Sequence, residues 1–125
     1  VGGRSLPCDR KLRRSDRLTE KYEYKSVIKN GSLIRAKTFK AYFLSGKELE
    51  RKAGFIAGKG VGGALERNRA RRVLKEAYRG LKPRLRARGF NVVFVAGRAT
   101  GEADTSEIAG EMEGVLNRCG VIGKQ

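Results

Sequence analysis

The chain has 125 residues, 29 Lys and Arg against 13 Asp and Glu, a formal charge of +16 and an isoelectric point near 10.5. That length buries one hydrophobic core without metals or disulfides, and the charge is the footprint of a polyanion binder. Histidine is absent, which excludes a His-based catalytic mechanism, and no stretch approaches the ~20 apolar residues of a spanning helix, so no membrane partner is expected. The imbalance is local: acids outnumber bases only after residue 98, where Glu102, Asp104, Glu107, Glu111 and Glu113 accompany Arg118 and Lys124. Cys8 and Cys119 lie near opposite ends without metal-ligand spacing. Spacing alone leaves a disulfide open, but they read more simply as reduced thiols of a cytoplasmic protein.

Residues 1–14, polar and basic with Pro7 and two glycines, are expected to form a mobile arm, and they contain no apolar run of a secretory leader. With Ser15 or Asp16 as N-cap, the spacing of Leu18, Tyr22, Tyr24, Val27 and Ile28 predicts a helix to about Lys29, stopped by Asn30 and Gly31. Lys21, Lys25 and Lys29 form a cationic row along it. Residues 32–44 alternate, with a slip at 35–37, which predicts two short strands or one bulged strand. Ser45-Gly46-Lys47 turns the chain, residues 47–52 form a charged loop, and KAGFIA (52–57) is a short strand expected to pair back antiparallel as a hairpin.

A glycine turn (Gly58, Gly60, Gly62, Gly63) then opens the central helix. At about 100° per residue, Ala70, Val73, Leu74, Ala77, Tyr78, Leu81 and Leu85 gather on one stripe. Arg67, Asn68, Arg71, Arg72, Lys75, Arg79 and Lys82 occupy a neighbouring arc, with Arg69 nearer the far side. Only Glu66 and Glu76 stand among eleven Lys and Arg in residues 59–88, so the cations repel one another. A solvated face is the plain alternative, but an outside anion relieves such repulsion and guanidinium forks suit phosphate. Gly80 and Pro83 predict a kink, with the helix running on to about residue 88.

NVVFVA (91–96) reads as the most buried strand, and strand, helix, strand in that order implies a parallel crossover. After a loop at 97–105, Thr105 or Ser106 with Glu107 starts a last helix to about Cys119, with Ile108, Met112, Val115 and Leu116 as its buried side. Its acids Glu107, Glu111 and Glu113 are expected to point elsewhere and keep that face off nucleic acid. Residues 15–119 thus read as one domain and 120–125 as a tail.

Gly58-x-Gly60-x-x-Gly63 matches a dinucleotide fingerprint in form. The acid that should hold a ribose ~20 residues on is absent, and there is room for one crossover only, so no dinucleotide is expected. A phosphate loop fails because Ala53 stands at its first glycine and no Ser or Thr follows Lys59. A simpler use remains: free amides at the helix start, Lys59 and the arginines form one anion surface over residues 59–75, which grips backbone and shape rather than base sequence.

Lys59-x-x-Gly62-x-Ala64-x-x-Arg67-Asn68-Arg69-x-Arg71-Arg72, followed by Lys75-Glu76-Ala77, resembles the signature of the protein subunit of bacterial ribonuclease P. Arg17-Leu18, Tyr24, Ile28, Tyr42 and Gly54 fit the same pattern, and the likeness covers about residues 17–118. The resemblance implies an α-β sandwich: a small mixed sheet of about four strands, a central basic helix in a left-handed βαβ crossover, and N- and C-terminal helices. It implies a protein that binds a catalytic RNA and helps remove the 5′ leader from precursor tRNA, with Mg²⁺ held mainly by RNA and no catalytic residue in the polypeptide, which is inactive alone. Lys59, Arg67, Asn68, Arg69, Arg71, Arg72 and Lys75 would then contact the catalytic RNA, and Tyr24, Ile28 and Tyr42 would line a cleft for the leader. The same three side chains read alternatively as core, and a structural RNA binder of ribosomal type is the alternative function. Gly58, Gly60 and Gly63 stand where the family often has a hydroxyl residue, a second Lys and a polar side chain, which weakens a role for side chains of that turn but not one for its amides.

Overall fold

The run Phe90–Ala96 is apolar on both faces, and such a strand must be covered on both sides and flanked on both edges. In the computed structural model, which describes residues 16–86 and 89–122, this strand lies inside a four-stranded sheet. The elements are α1 (Lys21–Asn30), β1 (Ser32–Arg35), β2 (Phe39–Ser45), β3 (Lys52–Ala57), α2 (Ala64–Leu81), β4 (Phe90–Ala96) and α3 (Thr105–Cys119). Short 3-10 turns occupy Lys59–Val61, Lys82–Arg84 and Arg98–Glu102. The sheet order is β1-β2-β4-β3, making a mixed α+β fold.

The slip at 35–37 resolves into two strands, with β1 antiparallel to β2. The hairpin expected of β3 does not form. β4 inserts between β2 and β3, antiparallel to the first from Phe39↔Ala96 to Ser45↔Phe90 and parallel to the second from Lys52↔Asn91 to Ala57↔Ala96. The most apolar strand takes the centre, and β3, reached through a charged loop, is left an edge. The parallel pair joined through α2 is the crossover that the order of elements implies.

Strand alternation sorts side chains onto two faces. Phe39, Ala41, Phe55, Phe90, Val92 and Phe94 face α2 and α3 in the main core, where Phe55 stacks on Phe94 at 5.8 Å and meets Tyr78 edge-on at 5.9 Å. The helical stripes supply the other half: Ala70, Val73, Leu74, Ala77, Tyr78 and Leu81 from α2, and Ile108, Met112, Val115 and Leu116 from α3. On the opposite face a smaller cluster of Leu18, Val27 and Val93 sits under α1.

Two boundaries differ from the sequence expectation. α1 begins at Lys21, not after Ser15 or Asp16; Ser15 lies outside the described residues. Arg17 bridges to Ala53 and the Leu18 N–H donates to the Ala53 carbonyl at 2.9 Å, so this segment is extended along β3, and the Glu23 carboxylate takes the N–H groups of Thr19 and Glu20 at the helix start. α2 ends at Leu81, because Pro83 lies in a 3-10 turn and Leu85 leaves the helix to bridge Ile122 while staying buried. Two acids of α3 are structural: Glu111 accepts the Thr38 N–H and hydroxyl, each at 2.9 Å, and Glu113 pairs with Arg84 at 3.0 Å. The proposed arm at 1–14, Cys8 and the end of the tail lie outside the described residues.

Candidate nucleic-acid interface

Burial of one stripe of α2 fixes what the rest of the helix presents. Asn68, Arg69 and Arg72 are exposed and Arg67, Arg71 and Lys75 partly so, all outside the buried stripe. Arg67 Nη1 donates to the Gly62 carbonyl at 3.2 Å, and Arg71 Nη2 donates to the Asn68 side-chain oxygen. Arg69 is turned away, its Nε on the Gly101 carbonyl at 3.1 Å, as its place on the helical wheel requires. None of these side chains has an acidic partner among the described residues, whereas Arg79 is paired with Glu76. Lys59 falls in the 3-10 turn just before the helix. At the helix start Gly62 has φ +141°, a conformation that favours glycine. A Cβ on Gly63 would stand 3.1 Å from the Glu66 carboxylate, so an acid shares the amide end of α2 with any incoming anion.

Tyr24 and Tyr42 come together around Leu18, Val27 and Val93, with Ile56 and Val95 beside them, on the sheet face that α1 only partly covers. Tyr24 lies directly over Gly54: a Cβ there would be 2.4 Å from its Cε1. Its hydroxyl donates to the Leu18 carbonyl at 3.2 Å, and burial raises its pKa although the charge of Arg17 opposes that. Tyr42 is partly buried, with the Lys40 ammonium 5.8 Å from its ring centroid. Ile28 is on the rim at 39 % exposure and is not part of the packed group. The two tyrosines are thus core on one side and open edge on the other, which joins the two readings the sequence allows.

Sequence reasoning missed a second basic feature. A cleft of about 460 Å³ at the carboxyl ends of β3 and β4 is lined by Arg35, Lys37, Lys40 and Arg98 together with Gly58 and Gly60. Arg35 and Lys40 are direct cross-strand partners, a like-charge pairing that costs stability unless an anion lies nearby. Arg35, Lys37 and Lys40 come from the β1–β2 hairpin and Arg98 from the turn after β4, so the pairing of β2 with β4 brings them together. The cleft adjoins the tyrosine face through Lys40 and Val95.

Among the described residues no group of three or more His, Cys, Asp or Glu converges. No helix among them is long and apolar enough to cross a membrane.

The ribonuclease P family model matches residues 12–120. The ribonuclease P protein component of Dehalococcoides mccartyi strain CBDB1 is 33% identical over 116 residues, covering 90% of this chain and 92% of that protein. That of Caldanaerobacter subterraneus subsp. tengcongensis is 31% identical over 102 residues, covering 82% and 87%. Among solved structures, the Staphylococcus aureus RNase P protein matches with a TM-score of 0.74 at 21% identity, over 88% of this chain and 100% of that one. The Thermotoga maritima RNase P protein matches with a TM-score of 0.70 at 21% identity, over 82% and 96%. The fold is therefore shared, the Arg67-Asn68-Arg69 helix stands in the strand, turn and helix setting expected of it, and the chain belongs to the ribonuclease P protein family.

Proposed function

We propose that this chain, as a ribonuclease P protein component, docks on a catalytic RNA through α2 and uses the half-covered sheet face to hold the 5′ leader of precursor tRNA. The RNA performs the cleavage with Mg²⁺ that it holds itself. The observation that carries this reading is one helix, anchored by a fully buried stripe, that presents cations without acidic partners beside an open tyrosine-lined face. Guanidinium and ammonium groups fixed on a rigid helix meet backbone phosphates without paying to order them first. On the sheet face, Tyr24 and Tyr42 offer ring edges and faces for unpaired bases, and Lys40 places positive charge beside them. Arg35, Lys37 and Arg98 continue the same path, so a strand leaving Tyr42 meets cations rather than acids. On this reading the protein supplies position and potential, and proton transfer is left to the RNA and its metal.

The test is a reconstituted particle. Tyr42→Ala is expected to weaken binding of precursor tRNA by about 1–3 kcal/mol, the worth of one stacked base, and to leave mature tRNA unchanged. Equal losses for both would instead mark a general RNA scaffold. Cleavage by the purified polypeptide without RNA would end the proposal.

A further inference from the structure

Hydrogen bonding of Leu18 to the β3 edge fixes the residue before it. Arg17 bridges Ala53 through its backbone, and its side chain enters a cleft of about 370 Å³ bounded by Tyr24, Arg71 and Lys75 over a floor of Leu18 and Phe55. Three cations line this cleft and no acid does. The neighbouring acids are engaged elsewhere: Asp16 holds Lys82 at 2.7 Å, and Glu23 faces Lys52 at 3.6 Å. Arg17 Nε is shielded from solvent and has no hydrogen-bond partner, and no ion pair to Arg17 occurs among the described residues.

A guanidinium nitrogen withdrawn from water without an acceptor is unfavourable, and two further cations facing the same space add repulsion. One bound anion in the cleft relieves that repulsion. We propose that this cleft is a phosphate site that takes a single phosphodiester of an RNA strand, with Arg17 as a ligand beside Arg71 and Lys75. The site rests on the reading that the chain binds RNA. It lies where the basic row of α2 meets Tyr24, the residue shared with the leader face, so it joins the two surfaces. The phosphodiester belongs either to the catalytic RNA or to the leader.

The experiment uses the full chain with Arg17→Met, which keeps an apolar stem, and Arg17→Lys, which keeps the charge. Binding to a bacterial ribonuclease P RNA alone, and binding of the assembled particle to precursor tRNA with and without a leader, are measured over a salt series. Arg17→Met is expected to weaken one of these about tenfold and to reduce the slope of log K against log salt by about 0.7–0.9, with Arg17→Lys recovering most of the slope. A change in the RNA-alone arm assigns the phosphate to the catalytic RNA; a change confined to leader-bearing tRNA assigns it to the leader. Unchanged slopes in both arms overturn the site, and so does a drop in Tm with slopes unchanged, since that is a structural role. Failure of the unsubstituted chain to bind any of the RNAs is a different result: it removes the functional reading, and this site with it.

Discussion

At the scale of single residues, the sharpest constraint is the contact between Tyr24 and Gly54. Any side chain on Gly54 collides with a ring that is itself pinned by its hydroxyl to Leu18. Gly54→Ala should therefore displace Tyr24 and cost about 1–3 kcal/mol, the usual range for overpacking. Thermal unfolding should register that loss. Affinity for leader-bearing tRNA should fall as far as in Tyr24→Ala while binding to the RNA subunit stays put, and a normal leader affinity would separate Tyr24 from the leader. Burial also sets the acid–base behaviour of individual groups. The Cys119 thiol is pushed up to about 11 by burial, and Tyr24 and Tyr78 are raised for the same reason. All three are neutral when protonated, so the unfolded chain releases these protons first as pH rises. Their contribution to stability is complete below the ordinary thiol value of 9.0 and is lost progressively above it. Urea midpoints should accordingly fall from about pH 9 upward, and less steeply in Cys119→Ala. Tyr24 and Tyr42 were legible from the sequence as aromatic positions near cations. What was not legible is that each is half buried, because that depends on where α1 settles over the sheet.

At the scale of elements, local periodicity was informative and pairing was not. The buried sides of α2 and α3 follow from spacing within each helix, and the structure places those side chains in the core. The start of α1 did not, because Arg17 and Leu18 pair with Ala53, a partner far along the chain that no local pattern names. The neighbour of β3 was misread for the same reason: hairpin reasoning looks to the strand just passed, whereas β4, made later, is apolar enough to claim the centre. The acids of α3 were read as a repelling face, yet Glu111 ties α3 to the turn between β1 and β2 through Thr38, whose carbonyl also accepts the Thr100 hydroxyl at 2.7 Å. Glu111→Ala leaves a buried N–H and hydroxyl without their acceptor. A loss of about 1–3 kcal/mol is expected, read as a lower urea midpoint with an unchanged m-value.

For the whole molecule, the charge of +16 is a statement about potential, and the fold determines where it is felt. Two basic clefts and the α2 row draw on cations from the N-terminal segment, the first hairpin, the central helix and the turn after β4, so the positive regions flank the tyrosine face on both sides. Composition announced a polyanion partner; strand register and the crossover helix turned scattered Lys and Arg into a track, and that step lies beyond any reading of order along the chain. If the track grips phosphates, binding to the RNA subunit releases counterions in proportion to the contacts made. Replacing Arg67, Arg71 and Lys75 together with Gln should reduce the slope of log K against log salt by about 2–3. Arg118→Gln, an exposed change on α3, should leave the slope alone, because overall charge without position contributes little. Equal slope changes per charge removed at both places would mean that the interaction is diffuse, and the rigid placement of the α2 row would then have no part in assembly.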